Sequence, residues 1–204
     1  VDILVNVAGI GVGSQGGADV DAVVGDLKKP FLFYMGSVNG GVWRTTNGGQ
    51  TWQSVLMPGF PQDDSPQPFQ GAQSPLRNCA TGLADNRCTS AADPVVRAGT
   101  DGMLYYSGIA FRRGTSFGKV FLARFIDLNN KENGDATQSK DPIRYLDTAV
   151  IDEGTSGQFL DKPWIAADIP RGSATCQVDG QQIPAGNVYI AYTSFVGGTN
   201  NPRS

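Results

Sequence analysis

Four aspartates in this sequence adjoin short apolar segments and are the first candidates for chemistry. Asp19 and Asp21 precede "AVVGD", Asp93 opens "DPVVRAG" and Asp161 opens "DKPWIAAD". Carboxylates that converge on one axis raise one another's pKa or recruit a cation, which suits general-acid catalysis or a Ca²⁺ site. The same residues also set turns before strands, as an Asp-Pro step does at Asp93. Both interpretations stay open.

Arginines are the other charged candidates. Arg97, Arg112, Arg113 and Arg144 fall within or beside predicted strands, where a guanidinium group can hold a substrate carboxylate through two parallel hydrogen bonds. Charged side chains on strands and loops are more often solvated. The chain has no histidine, which excludes histidine-based acid–base catalysis and histidine metal ligands within it.

Three cysteines bear on the redox environment. Cys79 and Cys88 flank the polar segment "CATGLADNRC" in a long predicted loop at 58–92, and Cys176 lies in a second predicted loop at 169–185. The first two can close a small disulfide ring in an oxidising compartment, or remain two thiols in a reducing one. The spacing favours the disulfide.

The segments that carry these residues have the pattern of strands. Short runs rich in Val, Ile, Phe, Tyr and Leu are bounded by Gly, Pro, Asn and Asp, and no segment predicts a long helix. A tyrosine-rich strand follows each acidic start: "FLFYMGS", "MLYYSGIAF" and "NVYIAYTSF". This order, repeated at similar intervals, is typical of the four-stranded blades of a β-propeller.

The N-terminal segment offers a competing interpretation. "VDILVNVAGIGVGSQGG" contains G-x-G-x-x-G at 11–16, and apolar residues then follow at helical spacing from Val20 to Leu27, as in a dinucleotide-binding βαβ unit. Against it, the next strand ends "YMGS" without an acidic residue to hold a ribose, and Gly25 and Asp26 interrupt the helix. The strand interpretation is favoured.

The most specific segment is "GGVWRTTNGGQTW". It contains Thr45-x-Asn47-x-Gly49-x-Thr51-Trp52. A hydroxyl and an amide side chain two residues apart can bond the backbone of the turn between them, while glycine allows a positive φ at its tip. The tryptophan can then fold back and bury its ring beside the hairpin. The pattern therefore predicts a rigid β-hairpin turn.

These residues resemble the Asp-box, or BNR, repeat, Ser/Thr-x-Asp-x-Gly-x-Thr-Trp, with Asn47 in place of the aspartate. Together with "DPVVRAGTDGMLYYSGIAF" and "DKPWIAAD…GNVYIAYTSF" they resemble Asp-box β-propellers, which include sialidases and secreted bacterial sialidase-like proteins. The resemblance implies an all-β fold of four-stranded antiparallel blades, near 18–57, 93–152 and 161–204, with the Asp-box on the outer rim as a structural element. Since a ring closes with about six or seven blades, residues 1–204 are expected to be an incomplete propeller within a longer chain.

The resemblance transfers no catalytic residue. A sialidase needs three convergent arginines, a tyrosine nucleophile activated by a glutamate, and an aspartate acid–base. The family's Phe/Tyr-Arg-Ile-Pro signature is absent, and the nearest segments, "FRRG" and "PIRY", do not fit. We therefore expect a non-catalytic β-propeller module that contacts partners through its long loops, with a sialidase-like glycoside hydrolase acting on glycans as the alternative.

Composition narrows the classes of partner. The chain has 16 basic and 19 acidic residues, a net charge of −3 and no basic tract, which disfavours nucleic acid. No apolar run approaches the roughly 20 residues of a membrane-spanning helix. A protein partner or a glycan is expected instead, in a secreted, cell-surface or periplasmic protein, and Ca²⁺ is the only cofactor that the residues suggest.

Overall fold

The protein is built from antiparallel β-sheets. A computed structural model describes residues 20–26, 29–37, 41–55, 57, 76, 79, 87–127 and 143–197. Within these residues the chain forms twelve strands and no α-helix. The all-β, antiparallel class expected from the sequence is therefore confirmed.

Two four-stranded sheets come first along the chain. The first sheet contains β1 (Val20–Asp26), β2 (Lys29–Ser37), β3 (Gly41–Thr45) and β4 (Gln53–Val55), side by side in that order. The second sheet contains β5 (Ser90–Ala98), β6 (Met103–Phe111), β7 (Gly118–Ile126) and β8 (Arg144–Glu153), again in chain order. Each strand pairs antiparallel with the next, so both sheets are simple meanders.

A third sheet follows, with an insertion inside it. β9 (Gln158–Ala167) pairs with β12 (Val188–Val196), while β10 (Thr175–Val178) and β11 (Gln181–Pro184) form a separate hairpin between them. The sequence predicted only a loop there. The turn of the hairpin is Asp179–Gly180, with φ of 47° and 75°, and Asp-Gly is a favoured pair for such two-residue turns.

The three sheets stack face to face in chain order. Side chains of the first sheet pack against one face of the second, chiefly Leu32, Tyr34 and Val42 against Tyr106, Phe121 and Phe125. The other face of the second sheet packs against the third sheet, chiefly Val95, Ile109 and Val120 against Leu160, Ile165 and Ile190. The second sheet is thus buried on both faces, which explains the nearly continuous apolar sequences of β6 and β7.

The β10–β11 hairpin covers one end of the second sheet. Its two inward side chains, Val178 and Ile183, pack on Met103 and Ile126. Burial of each aliphatic side chain of this size contributes roughly 1.5–3 kcal/mol, so the hairpin is anchored by its apolar side. The rest of β10 faces solvent.

The first hairpin of each sheet repeats one register. In each, the first strand contains a bulge. The first regular pair after the bulge is Ala22–Gly36 in the first sheet, Val95–Ser107 in the second and Trp164–Ala191 in the third. Two residues before the second member of each pair lies a tyrosine: Tyr34, Tyr105 and Tyr189. The bulged first strands are neighbours in space, because β5 contacts both β1 and β9. The sheets are therefore repeats of one structural unit.

The structure bears on two further expectations. Val20–Asp26 is a strand paired antiparallel with β2, so the helix of the dinucleotide-binding alternative is wrong; residues 11–16 lie outside the described residues. Across the described ranges, there is no helix of the length and apolarity needed to cross a membrane.

Candidate functional site

The candidate aspartates that the structure describes lie within strands. Asp93 and Asp161 are each the fourth residue of a strand, β5 and β9, rather than the first. Asp21 lies in β1, where only its backbone is described, and Asp19 is outside the described residues. Asp21, Asp93 and Asp161 therefore lie close to the bulges of their strands.

The bulges show which residues are equivalent. Asp93 and Lys162 each precede a proline and have φ of 51° and 52°, the left-handed region that few side chains other than Asn and Asp adopt readily. Lys162 therefore holds the place in β9 that Asp93 holds in β5, and Asp161 stands one residue earlier. The sequence alignment of Asp93 with Asp161 was wrong by one residue.

Because Lys162 is equivalent to Asp93 and directly follows Asp161, all three residues meet where β5 lies beside β9. The Lys162 ammonium donates to Asp93 Oδ1 at 3.1 Å, and the Lys162 backbone N–H donates to Asp161 Oδ1 at 2.9 Å. The Asp93 side chain is 20% exposed and that of Lys162 is 70% exposed. We call these three residues the acid pair and its lysine.

Within the acid pair, the pKa of Asp161 is raised. Partial burial raises the pKa of Asp161, and the hydrogen bond and negative charge of Asp93 raise it further. The backbone N–H and the charge of Lys162 act in the opposite direction but do not cancel the increase in pKa. Asp161 therefore keeps a proton to a higher pH than an ordinary aspartate, which is a property of general acids.

The acid pair does not fit a Ca²⁺ ion. Ca²⁺ takes 6–8 oxygen ligands, whereas two carboxylates meet here and one of them is paired with an ammonium group. In the described part of the chain, no group of three or more His, Cys, Asp or Glu side chains is close enough to hold a metal.

Arg97 and Trp164 extend the same junction of β5 and β9. The Arg97 guanidinium carbon lies 4.6 Å from the centroid of the Trp164 ring, a cation–π contact. Burial lowers the pKa of Arg97, although not enough to discharge a guanidinium group at neutral pH. Trp164 is 50% exposed, so its other ring face is open.

The other candidate arginines form hydrogen bonds or ion pairs at sites distant from Arg97. Arg112 donates to the Arg87 carbonyl at 3.3 Å and Arg113 to Ser90 Oγ at 2.8 Å, both at the far end of the β5–β6 hairpin. At about 3.3 Å per strand residue, that end is roughly 20 Å from Arg97. Arg144 pairs with Asp179 of the β10–β11 turn at 2.6 Å. The structure does not bring these arginines into one cluster.

The segment from Thr45 to Trp52 forms the turn that its sequence predicts. Thr45 Oγ accepts the backbone N–H of Gly49 at 2.9 Å and donates to Asn47 Oδ1 at 2.9 Å. Asn47 Oδ1 also accepts the Thr51 N–H at 3.0 Å, and its amide group donates to Thr51 Oγ at 2.8 Å. Trp52 Nε1 donates to the Gly49 carbonyl at 3.1 Å. These polar groups satisfy one another, which is what a structural turn requires.

One charged cluster was missed in the sequence. Asp127, directly after β7, accepts hydrogen bonds on Oδ2 from the Tyr34 hydroxyl at 2.8 Å and from Arg44 Nη1 at 2.7 Å. Its side chain is 1% exposed, and that of Arg44 is 10% exposed. These three residues, which we call the inter-sheet clamp, join the first sheet to the second. No local sequence signal links residues so far apart.

A cleft lies beside the inter-sheet clamp. It has a volume of about 310 Å³ and is lined by Lys29, Pro30, Phe31, Leu32, Arg44, Thr46 and Asp127. Arg44 and Asp127 already bond each other. We therefore interpret this cleft as part of the contact between the first two sheets.

The cysteines confirm the expected disulfide. Cys79 and Cys88 are bonded, with Cα atoms 4.8 Å apart, and both are buried in the core between the first two sheets. Met57 and Leu76 are buried in the same core, so the long segment between β4 and β5 is anchored at several points. Cys176 is a free thiol on the exposed side of β10.

Comparison of the chain with protein-family models, with characterised proteins and with solved structures gave no match.

Proposed function

We propose that this chain is a non-catalytic binding module of a secreted or cell-surface protein, built as part of a β-propeller. The support for the architecture is the repeated first hairpin, with β1, β5 and β9 side by side and one sheet stacked on the next. Propeller blades pack in this way around an axis, and further sheets would complete the ring.

The observation that carries the binding function is the separation of the arginines. Recognition of an acidic sugar for hydrolysis needs convergent guanidinium groups. Arg97 stacks on Trp164, whereas Arg112 and Arg113 serve the opposite end of the hairpin. These three arginines therefore do not assemble an anion site.

The partner-binding surfaces of this proposal are the two long connections. The segment between β4 and β5 is held by its buried disulfide and by Met57 and Leu76, which fixes the ends of a long loop. The β10–β11 hairpin buries Val178 and Ile183 and presents the rest of β10 to solvent. The exposed polar side chains of β10 suit a protein or glycan partner.

The acid pair supports the alternative, a glycoside hydrolase. A carboxyl group with a raised pKa can act as a general acid, although the hydrogen bond between Asp161 and Asp93 brings the two carboxyls closer than the roughly 5–9.5 Å that separates those of a glycosidase. In this alternative Asp161 is the general acid, and Trp164 stacks on a sugar ring. The ion pair of Lys162 with Asp93 argues against it, because it occupies the second carboxylate.

Hydrolysis and binding can be separated with the full-length protein. We expect no release of fluorophore from a fluorogenic sialoside or from neutral glycosides, together with retention on immobilised glycans or on a protein partner. Turnover that disappears in Asp161→Asn and in Asp93→Asn would replace the binding function with the hydrolase. Arg124→Gln, which breaks an exposed ion pair with Asp147 in the second sheet, is the control for non-specific loss.

A further inference from the structure

The turn from Thr45 to Trp52 contains a chemically reactive dipeptide. Asn47 is followed by Gly48, and glycine has no Cβ, so its backbone nitrogen can approach the side-chain carbonyl carbon of the residue before it. Asparagine is also one of the thermolabile residues of proteins. When the Gly48 nitrogen attacks Asn47 Cγ, the Cγ–Nδ2 bond breaks, ammonia leaves and a succinimide ring forms. Water then opens the ring to aspartate or isoaspartate, with no change of oxidation state.

The closed turn occupies both reacting groups. The backbone N–H of Gly48 donates to the Phe31 carbonyl at 3.0 Å. The Asn47 Oδ1 atom accepts from Thr45 Oγ at 2.9 Å and from the Thr51 N–H at 3.0 Å. The Asn47 amide group donates to Thr51 Oγ at 2.8 Å. The attacking nitrogen and the group that it attacks are therefore each held by other partners.

The hydrogen bond from Gly48 to Phe31 also ties the turn to β2. Phe31 lies in β2, which pairs with β3 directly before the turn. Opening of the turn therefore breaks a contact with the sheet as well as the bonds of Asn47. Each net hydrogen bond lowers the population of the open form by a factor of about five, so the loss of three lowers it by roughly 100-fold.

We propose that Asn47 is a deamidation site whose reaction is controlled by the folding of this turn. The amide persists while the turn is closed, and it reacts when the turn opens or while the chain is unfolded. An aspartate at this position keeps an oxygen that can accept from Thr45 Oγ and from the Thr51 N–H. The Thr51 hydroxyl can rotate to donate to the second oxygen. Conversion to aspartate therefore gives a carboxylate form of the same turn.

The isoaspartate product does not fit this turn. Its main chain runs through Cγ, which adds a carbon atom between Cα of residue 47 and the nitrogen of Gly48. The added atom displaces the Gly48 N–H from the Phe31 carbonyl, with which it bonds in the closed turn. Folding therefore distinguishes the two products, because only the aspartate chain can form the original hydrogen bonds again.

The test measures deamidation of Asn47 in the folded and the unfolded chain. The protein is incubated in mildly alkaline buffer with and without urea and is then digested at mildly acidic pH, where the backbone nitrogen stays protonated. Peptide mapping by mass spectrometry separates asparagine, aspartate and isoaspartate at residue 47. The sequence has two other Asn-Gly pairs, which begin at Asn39 and Asn133 and lie outside the described residues. In urea they are internal references for the same dipeptide.

Two valine variants separate the turn from the dipeptide. Thr45→Val removes the hydroxyl that accepts the Gly49 N–H and donates to Asn47, while the side chain keeps its shape. Thr46→Val is the matched control, because Thr46 is exposed and the side-chain bonds of Asn47 go to Thr45 and Thr51. Far-UV circular dichroism checks folding. If Thr45→Val fails to fold, Thr51→Val replaces it, since it removes the acceptor of the Asn47 amide group and keeps the Thr51 N–H.

We expect Asn47 to react in urea at a rate similar to those of Asn39 and Asn133, and roughly 100-fold more slowly in the folded chain. Thr45→Val should speed the reaction of the folded chain by roughly 10-fold, because two hydrogen bonds of the turn are lost. Its rate in urea should not change. Thr46→Val should change neither rate.

Three results would overturn the inference. The first is equal conversion of Asn47 in the folded chain and in urea. The second is an Asn47 amide that survives in urea while Asn39 and Asn133 react. The third is a ratio of folded to unfolded rates that is the same in Thr45→Val and Thr46→Val. The inference rests on the geometry of the turn alone, so its failure leaves the proposed binding function and the hydrolase alternative undecided.

Discussion

The inter-sheet clamp makes the sharpest prediction for stability. Replacing Asp127 with asparagine keeps the size of the side chain but removes its charge. Arg44 is then left as a cation that is 10% exposed, with a neutral amide oxygen in place of the carboxylate and with Gln53 Oε1 accepting from its Nη2 at 2.9 Å. The Tyr34 hydroxyl also loses its charged acceptor.

The burial of the Arg44–Asp127 ion pair sets the expected loss of unfolding free energy in Asp127→Asn. Removing one partner of a buried ion pair costs about 3–5 kcal/mol, because an uncompensated charge remains. Gln53 and the slight exposure of Arg44 reduce this loss, so we expect about 3 kcal/mol. With a urea m-value of about 2 kcal/mol/M, the midpoint of unfolding falls by roughly 1.5 M.

Urea denaturation followed by far-UV circular dichroism measures this loss. Tyr34→Phe removes only one hydrogen bond to a charged group and should cost about 1.5–3 kcal/mol. Arg44→Met combined with Asp127→Asn should cost less than the sum of the single variants, by about 1–3 kcal/mol, because the two side chains act as one unit.

An exposed ion pair in the second sheet provides the control. Arg124 bonds Asp147 through Nε at 2.7 Å, and the two side chains are 40% and 52% exposed. Arg124→Gln should cost under about 1 kcal/mol. If Asp127→Asn costs no more than Arg124→Gln, then Asp127 does not join the first two sheets as described.

Three further predictions concern the Asp-box, the acid pair and the disulfide. Asn47→Asp puts a carboxylate where the Asn47 oxygen accepts bonds from Thr45 and Thr51, and it should stabilise the fold by about 0.5–1 kcal/mol through charge-assisted bonds. Asn47→Ala should destabilise the fold by about 1–2 kcal/mol; urea midpoints would show both effects, and a loss with Asn47→Asp would contradict the first. Because folding raises the pKa of Asp161, its contribution to stability is present below its unfolded pKa, about 3.9, and is lost as pH rises through the folded value. Asp161→Asn should therefore raise the melting temperature at pH 7 but not near pH 3, and an equal effect at both values would refute the coupling with Asp93. Reduction of Cys79–Cys88, whose separation is 9 residues, should cost about 2.5–3 kcal/mol, and a double alanine variant should no longer respond to dithiothreitol.

Features set by short-range spacing could be predicted from the sequence. Alternation and turn residues indicated antiparallel strands, and β2, β6 and β12 fall on the tyrosine-rich segments that were singled out. The Asp-box turn forms because Thr45, Asn47 and Thr51 are close enough in sequence to bond one another in any folded hairpin. The disulfide likewise joins residues that close a small ring.

Features that depend on register between distant strands could not be predicted. The acid pair joins β5 to β9, and its lysine was overlooked because the comparison of the two segments matched Asp161, rather than Lys162, with Asp93. Tyr34 and Asp127 are 93 residues apart, and no local pattern relates them. The β10–β11 hairpin is a different case, since its Asp-Gly turn is visible in the sequence but its strands are only four residues long.

The most direct test of the stacked repeat compares its three equivalent tyrosines. Hydroxyl-radical footprinting of the chain, read by mass spectrometry, reports the solvent exposure of Tyr34, Tyr105 and Tyr189 in one experiment. We expect Tyr189, which is 61% exposed, to be labelled fastest, then Tyr105, with Tyr34, which is 2% exposed, slowest. Labelling of Tyr34 as fast as that of Tyr189 would contradict the stacking of the sheets in chain order.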